Sequence, residues 1–372
     1  ARTSTSASAP AQLVVDVDVP AGGLPLWYEP IAGDLSLAAA VATVDDVSIV
    51  VGYEKNVVGA LTLRRYEGQS VVWTRRIKDW SKLKEAAGHT VGADVAIDLE
   101  GNIIVAGNML TGPRSYVAKL SPTGELIWEH LGGVGELANG VAVDEDGRVY
   151  LAGSAPVETD TKLMVWSWNS AGLKPWLAGY EGVPDEMHLA SEWATAVTRV
   201  GDRVIVVGVA EVLGDFNEFV PRTIVLQVTP GGEVKAADTW ISMGDWGGRD
   251  AARDVVAVGD EYCITGWGGA PPRALTRCSD GLQPWWSTPH KVDTLAYSIT
   301  HNQRLEVVVA GERSVANQPR VWVEALVVGG DEVAWSHTGG SGQANGVDCG
   351  PWGPCVYVGV STFQAMAGAL TP

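Results

Sequence analysis

One glycine recurs seven times at the end of a strand-like run, and no other feature narrows the fold as much. "VSIVVGYE" carries Gly52, "IIVAGN" Gly107, "VYLAGS" Gly153 and "VIVVGV" Gly208. "YCITGW" then carries Gly266, "VVVAGE" Gly311 and "VYVGVS" Gly359. The intervals are 55, 46, 55, 58, 45 and 48 residues. A tryptophan follows five of these glycines at a near-constant distance: Trp73, Trp128, Trp176, Trp285 and Trp335. The fourth copy has Ala236 in that place. A fixed period of this size marks one supersecondary unit copied along the chain. It overrides the two or three domains that 372 residues would otherwise suggest.

The second copy reads as four strands: "VAID", "NIIVAG", "SYVAKLS" and "ELIWEHL". β-branched and aromatic residues fill the runs, and turn residues separate them. Helical periodicity is weak except in "WSKLKEAAG", residues 80–88. Four-stranded units of ~40–50 residues are propeller blades. The expected fold is therefore all-β, a seven-bladed β-propeller of four-stranded antiparallel blades over residues 13–372. Its blades fall near 36–80, 91–131, 138–180, 193–240, 250–288, 294–337 and 342–372. Residues 1–12, "ARTSTSASAPAQ", read as a disordered tether.

The last copy ends without a fourth strand. "GGLPLWYEP" supplies one and places Trp27 where the motif has its tryptophan. The N-terminal strand at 22–30 is thus expected to join the C-terminal blade and close the ring, which removes open sheet edges. "LVVDVDVP" (residues 13–20) is also strand-like and could displace or flank the C-terminal strand. Trp27, Trp73, Trp128, Trp176, Trp285 and Trp335 are assigned to stacking. Each would bury ~150–250 Å² between neighbouring sheets.

Asp144-Glu145-Asp146-Gly147 has the look of a calcium loop. The equivalent stretch in the second copy is Asp98-Leu99-Glu100-Gly101, with Leu in the middle, and the glycine sits at the wrong position for an EF-hand. The reading is a β-turn in which Asp holds local backbone and Gly takes a positive φ. No metal site and no cofactor are expected. Cys263 and Cys278 flank "GGAPPR", and Cys349 and Cys355 flank "GPWGP". Symmetric placement about two turns suits the hairpin disulfides Cys263–Cys278 and Cys349–Cys355, and these in turn suit an oxidising compartment.

The net charge of −18 lacks the basic footprint a nucleic acid needs. No apolar run approaches the ~18 residues of a membrane helix. Long loops on a rigid scaffold collect function, and three stand on adjacent units: residues 177–193, 209–222 and 237–251. They carry Glu181, Asp185, His188, Asp215, Glu218, Trp240, Asp245, Trp246 and Arg249, acidic groups beside tryptophans that suit a sugar or a cation. No Gly-x-Ser-x-Gly elbow and no metal-spaced histidine pair appears.

The units resemble the bacterial seven-bladed β-propeller repeats known as SBBP repeats. "HLGGVGELANGVAVDEDGRVYLAGS" (130–154) carries the likeness most fully, and "HTGGSGQANGVD" (337–348) echoes it. The resemblance implies an exported or cell-surface propeller, secreted, periplasmic or surface-tethered, and implies no reaction. "SPTGELIW" also resembles the tryptophan-docking motif of quinoprotein dehydrogenases. Those are similar to eight-bladed rings with adjacent cysteines, which this chain lacks. The expectation is a monomeric binding module for a glycan or a surface protein. The alternative is an enzyme, hydrolase or quinoprotein-like oxidoreductase, with its site at the propeller mouth.

Overall fold

The computed structural model describes residues 25–30, 35–54, 60–83, 90–158, 160–174, 176–180, 189–213, 219–240, 250–269, 273–279, 284–302, 306–329, 333–350, 355–361 and 364–370. After β1 (Pro25–Pro30) the strands come in fours. β2 (Leu35–Val44), β3 (Val47–Glu54), β4 (Ala60–Glu67) and β5 (Ser70–Arg76) precede a four-residue helix, α1 (Ile77–Trp80). Then follow β6 (Thr90–Ile97), β7 (Ile103–Met109), β8 (Arg114–Leu120) and β9 (Leu126–Leu131), and β10 (Leu137–Val143), β11 (Val149–Val157), β12 (Asp160–Trp168) and β13 (Trp176–Gly179). The next groups are β14 (Leu189–Val200), β15 (Arg203–Leu213), β16 (Phe219–Val228) and β17 (Val234–Trp240), and β18 (Asp250–Val258), β19 (Glu261–Gly268), β20 (Arg273–Ser279) and β21 (Pro284–Val292). β22 (Thr294–His301), β23 (Glu306–Val315), β24 (Gln318–Val327) and β25 (Val333–Ser341) lead to β26 (Gln343–Cys349), β27 (Cys355–Ser361) and β28 (Gln364–Leu370).

Each unit is an antiparallel meander. Two pairs of units are also joined by a single parallel bridge, Ala60↔Thr90 and Thr161↔Ser191, so that two of the five sheets have eight strands. The sequence reading had separate blades; one residue pair is enough to merge two of them. The last sheet runs β1-β28-β27-β26. The N-terminal strand pairs with the C-terminal one in the register Trp27↔Ala369, Tyr28↔Gly368. Residues 1–24 lie outside the description, and with them the tether and the strand-like stretch at 13–20. The single helix among the described residues ends at Trp80, where "WSKLKEAAG" begins. There the buried indole donates to Tyr116 Oη (3.1 Å) and Ser81 turns away to Glu129 (2.7 Å).

The recurring glycine has a steric cause. In every unit the first strand carries a bulge against the second, and the glycine stands opposite it. A Cβ on Gly153 would lie 1.8 Å from the Leu137 carbonyl oxygen, on Gly311 1.9 Å from that of Leu295, and on Gly52 2.0 Å from that of Leu37. No side chain fits there. The bulge leaves one extra residue between the paired positions: 39, 93, 139, 195, 253, 297 and 345 in the seven copies. Bulges re-aim such side chains.

Each hydrophobic cluster belongs to two units rather than one. Ile49, Leu61 and Leu63 pack with Ile103, Tyr116 and Leu120; Tyr150 and Leu163 pack with Val206 and Ile224. Val356 and Val358 of the last sheet pack with Val41, Val50 and Tyr66 of the first. The tryptophans sit at these seams. Trp128 lies over Gly172 and Trp176 over Gly232, so close that a Cβ on either glycine would come within 2.6–2.7 Å of the indole. Their Nε1 atoms donate to Ser170 O (3.1 Å) and Pro230 O (2.7 Å), in the turn before the next unit's fourth strand. Trp73 stands farther from Gly124, where a Cβ would lie 3.1 Å from Arg75 and 3.5 Å from the indole, and there Arg65 donates to the Pro122 carbonyl (2.7 Å). Trp335 is buried against Tyr357 and the Cys349–Cys355 pair. The side chains of Trp27 and Trp285 lie outside the description.

Asp144 behaves as a turn residue. Its Oδ1 accepts the amides of Asp146 (3.1 Å) and Arg148 (2.8 Å), its Oδ2 accepts Tyr150 Oη (2.9 Å), and Gly147 has φ 73°. Both disulfides form, each between direct cross-strand partners, Cys263↔Cys278 and Cys349↔Cys355.

Gly153→Ala is expected to lower unfolding stability by ~3 kcal/mol, the upper range for overpacking. Gly231→Ala, whose Cβ would meet only Thr229 Oγ1 at 3.6 Å, should leave it within ~0.5 kcal/mol. Urea unfolding of the two variants checks this; equal losses would remove the steric account.

Candidate functional site

The copies can be compared with one another at the bulge. Two positions beyond each extra residue the chain has Val41, Val95, Val141, Val197, Val255, Ile299 and Val347, and one position before it Ala38, Gly92, Ala138, Ala194, Ala252, Ala296 and Ala344. Packing dictates both: the first set fills the seams and the second faces the glycine. The extra residue itself is Ala39, Ala93, Asn139, Thr195, Arg253, Tyr297 and Asn345. Stacking holds the neighbours nearly constant and leaves this position free to diverge.

The five larger members of that set line one cavity of about 680 Å³. Leu137, Ser154, Thr161, Ser191, Trp193 and Glu211 complete its wall. Five first strands (β10, β14, β18, β22 and β26) therefore converge on a common space. Its size falls in the ~300–1,000 Å³ range of small-molecule sites. The lining mixes two aromatic side chains, one cation, one carboxylate, and amides and hydroxyls.

Several of these groups are already tied into the scaffold. Asn139 Nδ2 donates to Ala194 O (2.7 Å) and Asn345 Nδ2 to Ala38 O (3.0 Å), each reaching the next unit's first strand. Thr195 Oγ1 donates to Val207 O (3.3 Å). Tyr297 hydrogen-bonds Glu312; burial, reinforced by that carboxylate, pushes its phenol up to about 12, with Arg253 opposing. It remains a neutral donor. Burial likewise raises Glu312.

Three carboxylates also stand on first strands, on β6, β18 and β26. Asp94 accepts Val95 N (2.8 Å) and, from the next unit, Val141 N (2.7 Å). Asp254 accepts Val255 N (2.8 Å), Ile299 N (2.9 Å) and Ser298 Oγ (2.9 Å). Asp348 accepts Thr43 N (2.5 Å), Thr300 Oγ1 (2.7 Å) and Cys349 N (3.0 Å). Each staples its strand to a neighbouring unit. They are half-buried yet surrounded by protein. Burial pushes Asp94 up to about 7, with Asp254 and Asp348 adding repulsion; it pushes Asp348 up to about 6 and raises Asp254. Carboxylates from units that are not all neighbours thus feel one another. At the β12–β14 junction the buried Glu192, 3.9 Å from Lys162 Nζ, is also raised to about 7 by burial.

The loop residues proposed from sequence are not among those described. Glu181, Asp185 and His188 fall in 181–188, Asp215 and Glu218 in 214–218, and Asp245, Trp246 and Arg249 in 241–249; Trp240 ends β17, with its side chain outside the description. The residues flanking the first two gaps, Ser191, Trp193 and Glu211, line the cavity. Sequence reasoning passed over Trp193, Glu211 and the whole bulge set. The signal was available: aligning the copies on their glycines exposes a divergent column beside nearly constant ones. Two of the six histidines are structural. His130 binds Gly172 O (2.6 Å), and His290 is sealed between Thr276 Oγ1 (2.8 Å) and Glu324 Oε1 (2.7 Å).

No protein family's sequence pattern matches the chain, and no curated protein does. Solved structures do. A polysaccharide lyase of family PL25, an ulvan lyase, is similar over 92% of this chain and 96% of its own, at 9% identity and a TM-score of 0.58. Domains 1–2 of extracellular Drosophila Semaphorin 1b match over 93% and 87% at 7% identity and a TM-score of 0.54. The β-propeller domain of Myceliophteria thermophila Cps50 (Swd1) matches over 92% and 99% at 11% identity and a TM-score of 0.54. At these identities the likeness carries the fold: the chain is a β-propeller.

A carboxyl raised in the folded state binds its proton more tightly than in the unfolded chain, where Asp titrates near ~3.9. Its contribution is complete below that value and is lost as pH rises through the folded pKa. Asp94→Asn should therefore flatten the fall in unfolding free energy between about pH 4 and 7, measured by urea titration. A slope identical to the parent's would show that Asp94 ionises normally.

Proposed function

We propose that the chain is an exported binding module: seven four-stranded units closed into one ring by the β1–β28 pair, of the SBBP type, acting as a monomer. It holds a glycan in the cavity at the mouth of its axis. The observation that carries this reading is the divergence of the bulge column, since residues aimed at one cavity vary while their packing neighbours do not. Trp193 and Tyr297 offer aromatic faces of the kind that stack on sugar rings. Asn139, Asn345, Thr161, Thr195 and Ser191 offer amides and hydroxyls fixed on strands, where they are pre-organised.

Glu181, Asp185, His188, Asp215, Glu218, Trp240, Asp245, Trp246 and Arg249 extend the rim in this reading, because their loops connect strands whose ends line the cavity. A concave site favours a saccharide over a protein epitope, which needs a broad surface of ~800 Å² per partner. Two disulfides support secretion or display outside the cytoplasm. No reaction is assigned.

A glycan array probed with the full chain tests the proposal. Binding is expected to a defined glycan set, and Trp193→Ala should weaken it at least tenfold with the melting temperature unchanged. Undiminished binding by Trp193→Ala would move the site elsewhere, and an array blank for the parent protein would end the glycan reading.

A further inference from the structure

Taking the glycan reading as its basis, we propose that Arg253 makes the cavity selective for a saccharide that carries an anionic group, a carboxylate or a sulfate. The argument begins with the state of each polar bulge residue. Asn139, Thr195 and Asn345 direct donors to backbone carbonyls, and the Asn345 side-chain oxygen also accepts Gln343 Nε2 (2.7 Å). Tyr297 is held by Glu312. Arg253 is exposed at the cavity and makes no hydrogen bond or ion pair among the described residues. None of its five N–H donors is engaged by a described residue.

Several other arginines are instead tied into the scaffold. Arg65 and Arg148 each give a donor to a neighbouring unit's carbonyl, Pro122 O (2.7 Å) and Pro230 O (2.8 Å). Arg76 pairs with Glu54 (2.7 Å), and Arg203 reaches Asp260 O (2.5 Å). These side chains tie units or strands together. Arg253 occupies a position that varies from copy to copy, the extra residue of a bulge, and it lines the cavity.

A planar guanidinium matches a carboxylate or sulfate through two parallel hydrogen bonds. Tyr297 beside it stays protonated, so it adds a neutral donor to an anion rather than a second charge. Glu211 on the wall accepts the hydroxyls that a sugar supplies and a simple anion lacks. The net charge of −18 repels anions at long range. Over distances beyond ~8 Å at physiological salt that field is largely screened, so contact groups decide recognition.

Calorimetric titration separates this inference from the reading beneath it. The probes are a galacturonate tetramer, a sulfated galactose tetramer and a neutral galactose tetramer. The parent protein should bind one of the charged tetramers at least tenfold tighter than the neutral one, and the tighter of the two identifies the group. In Arg253→Ala the charged and neutral affinities should converge. Arg253→Lys should recover only part of the preference, because an ammonium lacks the paired donors. The preference should shrink as salt rises. A parent protein that binds the neutral tetramer as tightly as both charged ones overturns the selectivity and leaves the glycan site standing. So does a preference that survives in Arg253→Ala. Binding of none of the three probes, together with a blank array, removes both.

Discussion

The fold depends on a contact that leaves no room for a side chain. Opposite each repeat glycine a carbonyl oxygen of the first strand occupies the place where a Cβ would stand, at 1.8–2.5 Å across the seven copies. That approach is possible because the first strand bulges, and the bulge persists because the opposing residue is glycine. Neither could change alone. The same distortion turns one residue per unit out of the ladder, so the device that lets the strand run close to its partner also furnishes the cavity.

Position then divides the work among residues. The Val and Ile beyond each bulge fill the seams, and every core cluster bridges two units, so no unit is a self-sufficient core. Trp128 and Trp176 reinforce their seams by lying on the turn glycine of the next unit and donating to the carbonyl two residues before it. The three interior aspartates add charge-assisted bonds between first strands, at the cost of mutual repulsion in a confined space. The bulge residue is bound less tightly by these duties, although Asn139 and Asn345 also tie neighbouring first strands, and Ala, Asn, Thr, Arg and Tyr all occupy it.

Much of this was legible before the coordinates. The glycine period, the four-strand reading of a unit and the cross-strand cysteines depend on spacing, and spacing survives in sequence. Asp144 was readable as a turn because Asp98 repeats it without the middle carboxylate. The pairing of Trp27's strand with the C-terminal strand followed from a missing fourth strand. The bulge was not legible from alternation, because one extra residue breaks the period of two and looks like noise. The two parallel bridges were invisible because a single residue pair leaves no pattern. Loop length directed attention to residues 177–193, 209–222 and 237–251; strands β14 and β15 run into the first two, and Trp193 and Glu211 on them, like Arg253 on β18, were not singled out.

The central claim is that extra residues from separate units face one space. Asn139 and Tyr297, far apart in the chain, are both placed on its wall, and both disulfides are formed, with no free cysteine among the described residues. An Asn139→Cys, Tyr297→Cys double variant treated with a short bis-maleimide should form an intramolecular cross-link, read by mass spectrometry of the intact chain. Two separately capped thiols with no bridge between them, in a folded protein, would contradict the convergence of the bulges.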